Sequence, residues 1–200
     1  MDKRGYKIRD QSKPHFMTFT VVNWIDIFSR KAYEDLIVDN LNYCISNKGL
    51  VIHAYVLMSN HVHLIIQSED KNLSGLVRDF KKFTSKAILE QIQSTTESRS
   101  KWMLELFRKS TETHSRNKIH QFWRYGNHPE EIYSTKFLWT KLDYIHLNPV
   151  RAGIVEKASE YVYSSAKNYV FNEGVVEVTL ADNPIIDTQK DDSFWKSIRW

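Results

Sequence analysis

The chain has 200 residues, a formal net charge of +4 and an ordinary apolar fraction, enough for one domain with its own core. No stretch approaches the roughly eighteen consecutive apolar residues that suggest a membrane span, and the basic start MDKRGYKIRD lacks the apolar run of a signal peptide. Cys44 is the single cysteine, which excludes an intrachain disulfide and a cysteine-built zinc cluster and suits a reducing cytoplasm.

In chain order, His15 to Val22 (HFMTFTVV) is β-branched and aromatic and predicts a strand. Ser29 is the expected N-cap of a helix from about Arg30 to Asn47, stopped by Lys48-Gly49. Leu50 to Met58 and His61 to Gln67 read as two strands joined by the short turn Ser59-Asn60. Leu73 to Ile92 repeats apolar residues at helical spacing, through Leu73, Leu76, Val77, Phe80, Phe83, Ala87, Ile88 and Ile92. Ser94 to Ser100 is expected to be a flexible connection, Lys101 to Lys109 a short helix, and Glu112 to Ile119 irregular. His120 to Tyr125 predicts a fourth strand, and Glu130 to Val150 a helix ending at Asn148-Pro149.

Strand, helix, strand, strand, helix, strand is the split-βαβ, ferredoxin-like order of an α+β fold with a central antiparallel sheet, here followed by one extra helix. With both earlier helices on one face, the other face is expected to be free for a site. One domain is expected over residues 1–170, with 171–200 a tail that packs onto the body or onto another subunit.

Charge is concentrated. Between Lys71 and Tyr125 there are twelve Lys/Arg against five Asp/Glu, interleaved with Phe80, Phe83, Trp102, Phe107, Phe122, Trp123 and Tyr125. Two readings stand side by side. One is a nucleic-acid footprint, in which cations neutralise phosphates and aromatic rings stack on unpaired bases. The other is a solvated helix face over an ordinary aromatic core.

His61 and His63 are two apart on a strand and therefore present both imidazoles on one face, with Val62, Leu64 and Ile66 on the other. Neutral imidazole is the commonest metal ligand, so the pair makes either half of a metal site or two surface histidines at a strand end. No H-E-x-x-H or C-x-x-C pattern completes a zinc site. A hard divalent ion such as magnesium or manganese calls for oxygen ligands as well. In KLDYIHLNPVRAG, Lys141 to Gly153, Tyr144 and Asn148 are one helical turn apart. They are either a half-buried tyrosine and a helix-ending cap, or a phenol beside a carboxamide that supplies the missing oxygen.

Together, the stretches YVLMSNHVHLII, LVRDFKKFTSKAI, FWRYGNHPEEI and YIHLNPVRAGIVEKASEYVYSSAKNY resemble the single-tyrosine HUH transposases, and among them the REP-associated tyrosine transposases, from about His15 to Tyr169. The resemblance implies that Tyr144 is the nucleophile, that His61 and His63 are the metal-binding histidines, and that Asn148 completes a site for Mg2+ or Mn2+. Insertion-sequence relatives usually carry glutamine at the Asn148 position. It implies a reaction in which tyrosine attacks a phosphodiester of single-stranded DNA beside a hairpin, forms a 5′-phosphotyrosine and frees a 3′-hydroxyl. The implied partner is single-stranded DNA with palindromic hairpins, and the protein acts as a monomer or as a homodimer. Arg78, Lys81, Lys82, Lys86, Trp123, Arg124 and Arg151 are the expected DNA-binding residues, with Tyr125 beside them. Two other classes fit the same residues: a module that binds hairpin nucleic acid without cutting, and a metal-dependent nuclease in which water attacks.

Overall fold

The computed structural model describes residues 7–94, 97–112 and 119–182. The strand β1 (His15–Thr20) is followed by α1 (Lys31–Lys48), the hairpin of β2 (Leu50–Met58) and β3 (His61–Ser68), α2 (Leu73–Ser94), α3 (Ser100–Lys109), a two-residue β4 (Glu130–Glu131), α4 (Thr135–His146), α5 (Asn148–Arg151) and α6 (Ala166–Phe171). The sheet order is β2-β3-β1-β4, every pairing antiparallel. That is the expected α+β arrangement.

Register decides what each face carries. Across β2, β3 and β1, Leu57, Val62 and Phe19 form one row and Tyr55, Leu64 and Met17 another. All six are buried in the main core, against helices whose own inward residues include Ile37 and Leu41 on α1 and Val77, Phe80 and Ile88 on α2. The alternate rows face the opposite way: Met58, His61 and Thr20; Val56, His63 and Thr18; Ala54, Ile65 and Phe16.

That second face, left free by α1 and α2, is where the extra helix packs. Leu142 and Ile145 of α4 are fully buried in a second cluster with Phe16, Ala54, Val56, Met58 and Ile65. Burying two such side chains contributes roughly 1.5–3 kcal/mol each. The helix expected from Glu130 begins later, because Glu130 and Glu131 pair with Phe16 and His15 as β4 and Ser134 is the true N-cap, accepting from the Phe137 amide at 3.2 Å. Pro149 falls in the first turn of α5, so the chain bends after His146 without leaving helical dihedrals at Leu147.

The strand expected over His120–Tyr125 is another correction. This segment does run beside β1, with Val22 donating to Phe122 O at 2.9 Å, Arg124 to Thr20 O at 2.8 Å and Thr18 to Asn127 O at 3.1 Å. Only an isolated bridge forms, between Val21 and Trp123. Positive φ at Gly126 (81°) and His128 (42°), and then Pro129 with no amide hydrogen, keep the ladder from continuing until Glu130. β1 likewise ends at Thr20, since Val22–Trp24 turn as a 3-10 segment.

Two smaller expectations also change. Ser29 does not cap α1; its hydroxyl donates to Asp26 O, and Arg30 holds the N-cap position without a side-chain bond. Phe83 is 60% exposed, the inward place being taken by Thr84. At the other end of α1, Gly49 adopts φ 62° as the left-handed cap.

The outer edge of β2 is covered rather than bare. Leu57 donates to Tyr163 O, Ser165 to Tyr55 O and Thr179 to Ile52 O, while Val176 is buried in the main core. The first part of the expected tail therefore packs on the body and protects a sheet edge. Residues 95–96 of the expected connection, 113–118 of the expected irregular stretch, and 183–200 lie outside the described residues.

Because Ile145 fastens α4 to the sheet, Ile145→Ala is expected to cost about 2–5 kcal/mol. Urea unfolding followed by circular dichroism measures it, and a loss below 1 kcal/mol, roughly that of a surface change, contradicts this packing account.

Candidate active site

The centre of the second sheet face holds His63, 5% exposed, and on the neighbouring row His61, half-buried. Their ring centroids are 4.6 Å apart. Both ring orientations are set by partners behind them. His61 Nδ1 is 2.7 Å from Asn60 Oδ1. The Asn60 amide is oriented by its own Nδ2, which donates to Trp24 O at 3.3 Å, so Oδ1 is an acceptor and His61 Nδ1 carries the hydrogen. His63 Nδ1 lies 2.8 Å from Thr18 Oγ1, the residue directly opposite on β1. We assign its hydrogen to Nδ1 as well, which gives Thr18 an acceptor role and leaves the Nε2 lone pair outward.

α4 brings Tyr144 onto this pair. Its hydroxyl is 3.4 Å from His63 Nε2 although 81 residues separate them in sequence. The phenol ring meets the imidazole edge-on at 5.1 Å, and Phe16 stacks on His63 at 5.6 Å while meeting the Tyr144 ring edge-on at 5.9 Å. Tyr144 remains 40% exposed, so the hydroxyl is held in place by the histidine and still reachable from solvent. Arg151, from α5, sits over the Tyr144 ring at 6.0 Å. Asn148 lies one turn beyond, its Nδ2 donating to Tyr144 O at 3.3 Å.

Burial sets the protonation of the imidazoles. It pushes His63 down to about 3, with the neighbouring His61 and Lys141 adding to the effect, and burial lowers His61 too. Both rings are therefore neutral at physiological pH, the form that ligates metals. Two neutral imidazoles, each with Nδ1 fixed by a partner behind it, are a donor set that fits a divalent cation. Among the described residues no group of three His, Cys, Asp or Glu side chains could hold one, so oxygen ligands would have to come from Asn148, water or a bound phosphate. His146 is not part of the site. It is fully buried on the far side of α4, with Nε2 2.8 Å from Ser165 Oγ and a pKa near 3 from burial.

The expected DNA-binding residues divide. Arg78, Lys81, Lys82 and Lys86 from α2 and Arg124 from the 119–127 segment line one open groove. Arg78, Lys82, Lys86 and Arg124 are exposed along it; Arg78 pairs with Asp79 at 2.8 Å and Lys86 with Glu90 at 3.7 Å. Lys81 has a structural task instead. Its amine donates to Arg124 O at 3.0 Å and Asn127 Oδ1 at 2.7 Å, tying α2 to that segment, and burial lowers its pKa to about 8. Trp123 also lines that groove but is only 5% exposed, packed in the main core with its indole donating to Thr84 Oγ1 at 3.0 Å.

Thr18, Asn60, Phe16 and Trp24 belong to the site's surroundings and were not singled out from sequence. Thr18 and Phe16 were findable in principle, as β1 residues on the same sheet face as His63; Asn60 and Trp24 depend on turn geometry.

With this geometry in hand, the comparisons with known proteins place the chain. The model of the IS200-like transposase family matches residues 10–125, and the chain belongs to that family. The matched region contains the histidine pair and stops before Tyr144. A solved structure of a REP-associated tyrosine transposase bound to a REP hairpin is similar with a TM-score of 0.59 at 17% identity, over 96% of this chain and 99% of that one; at that identity the likeness is one of fold. A comparison with curated proteins finds no match. Among the described residues no helix is long and apolar enough to cross a membrane.

The lowered imidazoles predict an acid-sensitive fold. An unfolded histidine takes up a proton near pH 6.5, while His63 and His146 resist it down to about 3. Below pH 6.5 the unfolded state binds more protons, so stability falls with falling pH, by up to about 1.4 kcal/mol per pH unit for each such group. Urea midpoints at pH 7 and pH 5 test this; equal midpoints would contradict the burial of these rings.

Proposed function

We propose that the protein is a single-stranded DNA strand transferase of the REP-associated type, in which Tyr144 is the nucleophile. The observation that carries this is the Tyr144 hydroxyl 3.4 Å from His63 Nε2. A surface tyrosine and a strand histidine from separate motifs meet at a place where both are needed.

In the proposed step Tyr144 Oη attacks the phosphorus of a phosphodiester in unpaired DNA. The bond from phosphorus to the 3′-oxygen breaks, that oxygen takes up a proton and becomes a free 3′-hydroxyl, and the phenolic proton passes to solvent. A 5′-phosphotyrosine remains. Its bond energy is conserved, so the reverse attack by a 3′-hydroxyl rejoins strands. A free tyrosine phenol, with a pKa near 10, is a weak nucleophile. A divalent cation, Mg2+ or Mn2+, held by His61, His63 and Asn148 would act as a Lewis acid on the phosphate oxygens. The chain's own contributions are positional. Phe16 and His63 hold the Tyr144 ring, Thr18 and Asn60 hold the histidines, and Arg151 offers a charge beside the phenol for the phosphate.

Hairpin DNA as the partner is supported by the shared fold with a transposase bound to a REP hairpin and by the cationic groove along α2. There Arg78, Lys82 and Lys86 present exposed charge in a row suited to a phosphate backbone.

The test is covalent capture. The protein is incubated with 5′- and 3′-labelled hairpin-bearing single strands from its gene's flanks, with Mg2+ or Mn2+. A denaturation-resistant adduct is expected, absent in Tyr144→Phe and reduced at least about a hundredfold in His63→Ala, the scale for losing a group that stabilises transition-state charge. Binding without an adduct would identify a non-cutting hairpin-binding module. Cleavage that persists in Tyr144→Phe would make water the nucleophile.

A further inference from the structure

Trp24 is 57% exposed beside the histidine pair. It meets His61 edge-on, ring centroids 6.2 Å apart, and Arg124 lies over its indole at 5.8 Å. An indole left this open, next to a candidate catalytic centre and under a cation, has an apolar face unused by the core.

Its backbone is held in a conformation that has to be enforced. Asn23 and Trp24 both have φ of 55°, in the left-handed region that non-glycine residues avoid. Three bonds fix the turn: Trp24 donates to Val21 O at 3.2 Å, Asn60 Nδ2 to Trp24 O at 3.3 Å, and Asn23 Nδ2 to Ser110 Oγ at 3.0 Å. Asn60 is the shared element, because the same amide holds His61 through Oδ1. The indole is thus positioned by the side chain that positions a candidate metal ligand. Beyond it opens a second groove of about 570 Å³, separate from the α2 groove except where Arg124 and Tyr125 line both. Asn23, Trp24, Lys109 and Ser110 are also in its wall, with Val22, Leu106 and Gln121, Lys109 being exposed and paired with Glu105 at 2.7 Å.

The geometry points to a nucleotide subsite here: Trp24 is a stacking platform for one unpaired base of single-stranded DNA next to the scissile phosphate, and Arg124 and Lys109 take the adjoining backbone into the second groove. Single-stranded DNA is the occupant the wall favours, since it offers flat apolar bases for the indole and anionic phosphates for two cations. The subsite rests on the strand-transferase reading for its neighbour, and on its own residues for binding.

The test separates the two. Full-length Tyr144→Phe protein, without added metal, is titrated with a DNA hairpin carrying a single-stranded tail in which successive bases are replaced by 2-aminopurine. A blunt hairpin of the same stem serves as control. Trp24→Ala is expected to weaken binding of the tailed hairpin about tenfold, to leave the blunt hairpin unchanged, and to abolish aminopurine quenching at one tail position. Trp24→Phe keeps most of the affinity. Arg124→Ala, whose exposed side chain also lines the α2 groove, loses more affinity for the tailed than for the blunt hairpin and serves if Trp24→Ala does not fold. Tyr43→Ala, an exposed aromatic on α1, binds like the parent. Unchanged affinity in Trp24→Ala and Arg124→Ala overturns the subsite, and so does an equal loss on blunt and tailed hairpins. Because no chemistry is read, a missing covalent adduct in the parent protein would refute the nuclease and leave this result standing.

Discussion

The antiparallel register between β1 and β3 is the constraint on which the site depends. It sets His63 opposite Thr18 and His61 opposite Thr20. A slip of one residue would turn both imidazoles toward α1 and α2 and push Val62 and Leu64 onto the Tyr144 side. What prevents the slip is the apolar set on the other face. Leu57, Val62 and Phe19 and then Tyr55, Leu64 and Met17 are buried rows that no shifted pairing satisfies. The main core therefore acts at a distance, holding the polar row of the candidate site to one register.

The second face shows how polar function is built into a packed interface. Near β4 the sheet carries Phe16, Ala54 and Ile65 and takes Leu142 and Ile145 of α4 in dry contact. Toward the β2–β3 turn the same face becomes Thr18, His63 and His61, each partnered. α4 spans this gradient. Its buried residues anchor it, and Tyr144, one position before Ile145, is delivered to the polar end still open to solvent. The desolvation that lowers His63 follows from this packing and keeps the ring in the neutral state that metal ligation needs.

Around the turn, one carboxamide links separate functions. Asn60 sets the His61 tautomer and restrains the Trp24 backbone. Lys81 plays a comparable part on the other side, crossing from α2 to hold the 119–127 segment whose Arg124 covers Trp24. Basic residues in this protein are thus of two kinds. Some are exposed along a groove, and some are consumed in fixing the loops that shape it.

Much was already decided by the sequence. Period-two alternation separated Val62, Leu64 and Ile66 from His61 and His63, and helical spacing defined α1 and α2, because strand and helix periodicities express local geometry alone. The motif pair H-V-H and Y-I-H-L-N-P likewise marked the residues that meet. Only tertiary structure decided the rest. It started α4 at Thr135 by pairing Glu130 and Glu131 with β1, a non-local bond that no helical pattern records. It sank Trp123 and turned Phe83 outward, because their places depend on how the 119–127 segment lies against α2. It also packed α4 onto the second face in the one orientation that brings Tyr144 to His63 across 81 residues. A sequence pattern can say which side of an element is apolar; which surface meets it depends on the path of the whole chain.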